Sequence, residues 1–258
     1  LGEQHSIASF LDFETARIDS LVARKRGLIS LLGERMCAEI DTEITCEAWP
    51  RLRLRYLLLD IQQGWSPQCE RRTVEPGEWG VLKVGCVNGM AFNPWEHKAL
   101  PANETPRVEY EVRDGDVLMS RANTRELLGS TALVSGVLPH MLLCDKLYRL
   151  RPRTAMIKPS FLVFALNSGL ARGQMEVEAT GASDSMQNIG QDTVRSLLLP
   201  VPPTAEQRTV VQRLTDALRR GRTLIARIEA QITGLQEHRA ALITAAVTGQ
   251  IDVRAKAT

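Results

Sequence analysis

The sequence contains no run approaching the roughly 20 consecutive apolar residues that a membrane-spanning helix needs. Its longest leucine runs are only Leu57-Leu58-Leu59 and Leu197-Leu198-Leu199. The start is amphipathic and acidic, without the basic-then-apolar pattern of a signal peptide. Leu1 in place of Met leaves a fragment or a trimmed product as the expectation. The five cysteines (37, 46, 69, 86 and 144) are odd in number, scattered and free of any C-x-x-C spacing. That pattern argues against a disulfide framework and a zinc site, and fits reduced thiols in a cytoplasmic protein. The four histidines (5, 97, 140 and 238) lack metal spacing. Neither a Walker loop nor G-x-G-x-x-G occurs, and Asn93-Pro94-Trp95 falls one proline short of a methyltransferase tetrapeptide. No D…E-x-K nuclease pattern stands out; Asp114 and Asp116 flank Gly115 as turn formers, and Ser183 and Ser185 have no partnered histidine. The expectation is a chain without metal, cofactor or catalysis of its own. An excess of one charge is also missing, at 32 Lys+Arg against 30 Asp+Glu, so any basic surface must come from local clustering.

Helical periodicity is abundant. After Pro200, Pro202, Pro203 and Glu206-Gln207, apolar residues recur at Leu214, Leu218, Ile225, Ile228, Ile232, Leu235 and Leu242, in steps of four and three. Gly221 and Arg239 fill the two missing places. Such a 3.5-residue spacing describes one long helix with a continuous seam for another. Thr248-Gly249 suits its C-terminal end. The other helix is a copy of this one at an offset of 203: Glu3-Gln4 matches Glu206-Gln207, Leu11 matches Leu214, Leu21 matches Leu224, and Val22-Ala23-Arg24 matches Ile225-Ala226-Arg227. Ile29, Leu32, Glu34 and Ile40 continue the match at Ile232, Leu235, Glu237 and Ile243. Residues 3–44 are expected to be helical, with a break or cap near Phe13 signalled by Asp12 and Thr15. Charge favours pairing: residues 1–45 carry five Lys/Arg against eight Asp/Glu, and residues 200–258 nine against five. The expected seam residues are Leu11, Leu21, Ile29 and Leu32 on one helix and Leu214, Ile225, Ile232 and Leu235 on the other.

Trp49-Pro50 ends the helical text. From there to Leu199 the segments are short, with frequent Gly and Pro, as in an α+β domain. Arg51 to Arg55 alternates as a strand would, and so does Asp145 to Pro152, which sets Arg149, Arg151 and Arg153 on one side. Gly80–Val84, Val117–Met119, Thr131–Val134 and Leu142-Leu143 are further strand candidates. Asn88-Gly89 is a hairpin turn, Asp114-Gly115-Asp116 another turn. Ser160 is the expected cap of a helix reaching Ser168, and residues 181–188 form a polar loop. The fold class is therefore α+β: one mixed domain over residues 46–199, flanked by helical regions 1–45 and 200–258 that pair as an antiparallel coiled coil.

Binding groups concentrate in the middle. Ser120, Arg121, Asn123 and Thr124 gather a guanidinium, a carboxamide and two hydroxyls at the end of an expected strand. Those groups read purine edges and hold phosphates, and equally they build a polar turn. Lys83, Lys146 and Arg149 add positive charge of the kind that positions a protein on phosphates, or that simply solvates a strand face. Gln187 and Asn188 suit either base reading or helix capping.

These features, taken in order, resemble the specificity subunit of type I restriction–modification systems. The resemblance rests on Pro-x-Pro-Pro-x-x-Glu-Gln at 200–207, the repeated Glu-Gln helix at 3–44, and Ala-Val-Thr-Gly-x-Ile-Asp-Val at 246–253. Inside the middle it rests on Gly64-x-Ser66-Pro67, Val81-Leu-Lys83, Asn88-Gly89, the 115–124 segment ending Ser-Arg-Ala-Asn-Thr, Asp145-Lys146 and Gln187-Asn-Ile189.

The resemblance implies that the middle is one target-recognition domain reading half of a split sequence in double-stranded DNA. Ser66 and Asn88 then join Lys83, Ser120, Arg121, Asn123, Thr124, Lys146, Arg149, Gln187 and Asn188 as expected DNA-facing residues. It implies partners: a methyltransferase subunit, which binds S-adenosylmethionine, and a restriction–translocase subunit. It also implies helices that set spacing and dock those partners. One recognition domain instead of the usual two points to half of a full subunit or to a half-size subunit that forms a homodimer. The competing expectations are a coiled-coil scaffold that binds protein, consistent with the nearly balanced charge of residues 46–199, and the recognition tail of a single-chain restriction–methylation enzyme.

Overall fold

The computed structural model describes residues 2–180 and 187–251. Leu1, residues 181–186 and residues 252–258 lie outside the described residues; with them lie Ser183, Ser185, most of the polar loop and the end of the 246–253 motif. The chain divides into two compact units. One comprises Leu1–Ala38 and Thr215–Thr258, the other Glu39–Leu214.

The first unit is a pair of helical segments, from the helices Gly2–Ile44 and Thr204–Val247. Met36 meets Gly221, Lys25 Nζ donates to Gln231 Oε1 at 2.7 Å, and Arg239 pairs with Asp19 at 3.0 Å. Numbers rise on one helix as they fall on the other, so the pair is antiparallel. Ile18 and Val22 are buried with Ile228 and Ile232, and Ile29, Leu32, Leu235 and Leu242 pack against them. Both missing places in the apolar seam acquire a reason. A Cβ on Gly221 would lie 2.7 Å from the Met36 sulfur, so glycine permits the close approach there. Arg239 brings a charge that Asp19 answers, a device that fixes register more than it adds stability. Leu21 is 40% exposed, and its neighbour Val22 fills the seam. Leu11 and Ile225 are half-buried. Leu214 is buried, but within the second unit.

The break expected near Phe13 does not occur. Thr15 Oγ1 donates to Leu11 O at 2.6 Å, one turn back, so the hydroxyl is spent inside the helix instead of capping a new one. The far end behaves as anticipated. Gly249 takes φ +72°, and Gln250 N–H donates to Ala245 O at 2.9 Å.

The second unit is built on two sheets. An antiparallel one orders Leu58–Gln63, Leu147–Pro152, Val117–Ser120 and Thr131–Leu133. The other orders Met141–Leu142, Gly80–Leu82 and His97–Ala99, its first pair parallel. The apolar side chains of Val81, Leu82, Leu118, Ala132, Met141 and Leu147 share one core. The helix Pro159–Asn167 buries every residue from Phe161 to Leu166, as its unbroken apolar run demands. Its N-cap is Lys158, with no side-chain bond, and not Ser160; Ser168 caps the next helix, Gly169–Glu178.

Two arginine runs depart from simple alternation. Arg51–Arg53 is a strand, but Arg55 lies in the helical turn Leu54–Leu57 that follows. Arg149 is only 4% exposed. Its guanidinium donates to Glu111 O (2.6 Å), Glu109 O (2.8 Å), Asp116 Oδ2 (3.1 Å) and, through both Nε and Nη2, to Gln62 Oε1. The segment 109–116 folds over this strand face, so Arg149 is an internal strut and has no donor left for a phosphate.

Two short strands close the unit. Arg51–Arg53 pairs antiparallel with Leu198–Pro200. Beyond them Trp49 Nε1 donates to Glu206 Oε1 at 3.2 Å, while its ring meets Phe161 edge-on at 6.2 Å. Gln207 is fully buried. Its Oε1 accepts from Lys158 N–H, and its Nε2 donates to Met156 O and Pro202 O, each at 2.8 Å. The Glu-Gln dipeptide of the second helix thus holds the α/β segment at that helix's first turn.

Three stability outcomes follow. Gln207→Ala leaves one buried N–H and two carbonyls unpaired and is expected to cost about 2–4 kcal/mol in urea unfolding. Arg149→Ala takes from Asp116 its ion-pair partner and from the Glu109 and Glu111 carbonyls this donor, and is expected to cost about 3–5 kcal/mol, while leaving the salt dependence of any nucleic-acid binding unchanged. Leu32→Asp or Leu235→Asp puts a charge beside the seam. Either is expected to lower the thermal midpoint of the helical circular-dichroism signal, by roughly 2 kcal/mol of stability.

Candidate nucleic-acid interface

Arg121, the residue that follows the strand Val117–Ser120, has its backbone clamped on both sides. Arg121 N–H donates to Lys146 O, and Arg121 O accepts from Ile189 N–H, both at 2.9 Å. One residue later Ala122–Asn123 pairs with Gln187–Asn188, with Asn123 opposite Gln187. Arg121, Asn123, Lys146, Gln187 and Asn188 are therefore neighbours, although they come from three distant parts of the sequence.

Local contacts orient several of these side chains. The Arg121 guanidinium lies 5.7 Å from the ring centroid of Tyr148 and donates from Nη1 to Asp145 O at 3.2 Å. Tyr148 is buried, and its hydroxyl donates to Ile189 O at 3.1 Å, which ties the central sheet to the residue after Asn188. Asn123 Oδ1 accepts from Thr124 N–H at 2.9 Å. The Glu126 carboxyl is held below its usual range by its own N–H and then by the Thr124 hydroxyl. Gln187 and Asn188 are half-buried.

Beside Lys146 opens a cavity of about 310 Å³ lined by Ser66, Lys83, Lys98, Lys146 and Asp145, among others. Three of the expected residues meet here. Gly64 makes the wall possible: a Cβ at that position would lie 2.1 Å from Leu143 O, so only glycine lets the Ser66 loop approach so closely. Trp65 N–H then bonds Leu143 O at 3.0 Å, and Gln63 Nε2 bonds Asp145 O at 3.2 Å. Lys83 Nζ contacts Glu96 Oε2 at 2.8 Å, a half-exposed pair of small net worth that an incoming anion can replace. The cysteines at the cavity are neutral thiols. Burial raises Cys69, and burial pushes Cys144 up to about 12, so neither is poised as a nucleophile or metal ligand.

Two other expected residues are placed differently. Ser120 is fully buried and its Oγ donates to Leu127 O at 2.7 Å, so the hydroxyl is consumed by the turn. Asn88 is exposed on the hairpin Val87–Asn88 with Ala91–Phe92, where Gly89 takes φ +56°, and it does not line the cavity. Sequence reasoning also missed Lys98, Asp145 and Tyr148. Lys98 reaches the cavity because it pairs with Val81, a match between strands that no local pattern announces. Tyr148 alternates with the arginines of its strand, a signal that was available. Among the described residues no cluster of three or more His, Cys, Asp or Glu is placed to hold a metal ion. His97 is internal, accepting from Val74 N–H through Nε2 and bonding Pro94 O through Nδ1.

Comparison with known proteins bears on the chain as a whole. No family model matches the chain. It is 32% identical over 170 residues to the type I restriction enzyme EcoEI specificity subunit of Escherichia coli, covering 65% of this chain and 28% of that one. It is 23% identical over 276 residues to the EcoKI specificity subunit of Escherichia coli K12, covering 100% of this chain and 58% of the relative. A putative MjaX specificity subunit of Methanocaldococcus jannaschii shares 27% over 180 residues, 66% of this chain and 39% of its own. The chain thus spans between about a quarter and three-fifths of these relatives' lengths. Among solved structures, a chain from a study of complex assembly and conformational transition in the type I R-M system superposes with a TM-score of 0.70 at 18% identity. That match covers 95% of this chain and 58% of the other. The HsdS subunit from Thermoanaerobacter tengcongensis gives 0.52 at 19%, covering 97% and 59%. Relatives align along this chain's whole length and a solved chain superposes over 95% of it, so the chain is similar in sequence to specificity subunits of type I restriction enzymes and in fold to a chain of the type I R-M system.

Proposed function

We propose that this chain supplies the DNA-reading part of a type I restriction–modification complex, recognising one half of a bipartite target in duplex DNA. The observation that carries this reading is the junction of two groups of side chains at Arg121 and Lys146. Arg121, Asn123 and Gln187 offer the donors and acceptors that distinguish base edges. Ser66, Lys83, Lys98 and Lys146 offer the cationic and hydroxyl groups that hold phosphates. One backbone hydrogen bond, Arg121 N–H to Lys146 O, joins the two. The carboxamides and the guanidinium sit on paired backbone, which suits geometric selection better than a mobile loop would.

In this reading residues 46–199 form the recognition domain, and the helical regions 1–45 and 200–258 act as spacer and docking element for methyltransferase and restriction–translocase subunits. The chain performs no catalysis. S-adenosylmethionine belongs to the methyltransferase partner, and the complex works in the cytoplasm. The repeated helices also suit assembly of two copies about a two-fold axis. A scaffold that binds protein instead of DNA predicts no steep loss of duplex binding with salt, and that difference separates the two readings.

Arg121→Ala and Asn123→Ala are each expected to weaken binding to the cognate duplex by about 1–3 kcal/mol, with scrambled duplex much less affected. Lys98→Ala and Lys146→Ala are expected to weaken binding to all duplexes alike and to lower the salt slope by about one each. Fluorescence-anisotropy titrations across salt concentrations measure both. Identical curves for wild type and all four variants refute the assigned face. Methylome sequencing in a host that carries the partner methyltransferase reports the half-sites and their separation.

A further inference from the structure

Asp145 is the one acid among the described residues lining the cavity that also holds Lys83, Lys98 and Lys146. Its Oδ1 is shielded from water and has no hydrogen-bond partner. Close by, Arg121 Nε is likewise buried without a partner, although Nη1 of the same side chain reaches Asp145 O. Orphaned buried polar groups are rare and call for an explanation. Here a donor and an acceptor are orphaned together, beside a cationic cavity, on the face assigned above to DNA.

A carboxylate in that place works against affinity, because it repels every phosphate that the lysines attract. What it adds is selection. A carboxylate accepts hydrogen bonds and cannot donate them, so it welcomes the exocyclic amino group of adenine or cytosine and rejects the keto oxygen of thymine or guanine. We propose that Asp145 is a specificity-determining residue of this chain, accepting a hydrogen bond from the amino group of one base in the duplex. The inference rests on the DNA-reading function proposed above. For a base to reach Oδ1, the groups that shield it must move aside when DNA binds, and that movement is part of the proposal. An unpaired buried carboxylate oxygen is costly. An amino group relieves that cost and a keto group deepens it, which converts the orphaned atom into discrimination. Its backbone is already held, since Asp145 O accepts from both Arg121 Nη1 and Gln63 Nε2.

The test selects a motif from a randomised duplex pool with the full chain, then repeats the binding on duplexes in which each adenine or cytosine of that motif is replaced by purine or 2-pyrimidinone, which lack the amino group. Wild type is expected to lose roughly tenfold in affinity at one position. Asp145→Ala is expected to lose the base preference at that position, and Asp145→Asn, whose carboxamide presents either a donor or an acceptor, to accept both base types there. Both variants are expected to bind unselected duplex several-fold more tightly, because a negative charge is gone. The proposal is overturned if no amino deletion costs wild type more than twofold, a result that needs no variant to fold. It is equally overturned if folded Asp145→Ala keeps the wild-type preference at every position. Failure of wild type to select any motif instead removes the DNA reading itself.

Discussion

A three-residue ladder, Arg51–Arg53 against Leu198–Pro200, closes a loop of nearly 150 residues, and much else in the structure depends on that closure. Closing so long a loop costs conformational entropy, though the cost grows only slowly with length. The ladder does not bear it alone. Leu54 N–H bonds Leu197 O at 2.8 Å, Val201 N–H bonds Pro50 O at 2.9 Å, and the Trp49 and Gln207 contacts lie just outside. The end of the first long helix and the start of the second are thereby brought side by side, where Arg213 pairs with Glu43. An insertion closed in this way can vary inside without disturbing what it is inserted into.

Charge follows the same division between framework and face. The α/β unit is almost neutral overall, yet its cations have separate employments. Arg149 is spent inside, bonded to backbone carbonyls and to Asp116. Arg72 is locked between Glu70 and Glu78, and the Glu78 carboxyl is held down to about 2 by that guanidinium. Among the described residues, the lysines at the cavity carry one direct ion pair, Lys83 with Glu96. Net charge conceals this sorting, and only the fold separates the struts from the groups left facing outward.

The sequence reveals most where the physics is local. The 3.5-residue seam, the Gly249 stop, and the Asn88-Gly89 and Gly115 turns all depend on residues a few positions apart, and each lies where its pattern puts it. Arg149 is the opposite case. Alternation correctly sets it on one strand face, but whether water or the 109–116 segment covers that face is decided by folding over a long distance. Ser120 and Lys98 share that dependence, one buried by a following turn and one delivered by a distant strand. Thr15 misleads for another reason: a hydroxyl that caps a helix start also bonds back within a helix, and composition alone does not distinguish the two. In the seam, the offset repeat identifies which helices pair but does not separate Leu21 from Val22, since a one-residue rotation changes which of them faces inward.

The clamp at Arg121 has an evolutionary consequence. Its amide and its carbonyl are both bonded to main-chain atoms, and none of those bonds involves the side chain at that position. The residue is a socket: the scaffold holds the stub in place whatever is mounted on it. If the proposed DNA reading holds, a lineage pressed to change its target can exchange the side chain there, and at Asn123 and Gln187 across the short ladder, without rebuilding the sheet beneath. Diversity of target is then inexpensive for such a molecule to acquire, because the parts that must differ are not the parts that hold it together.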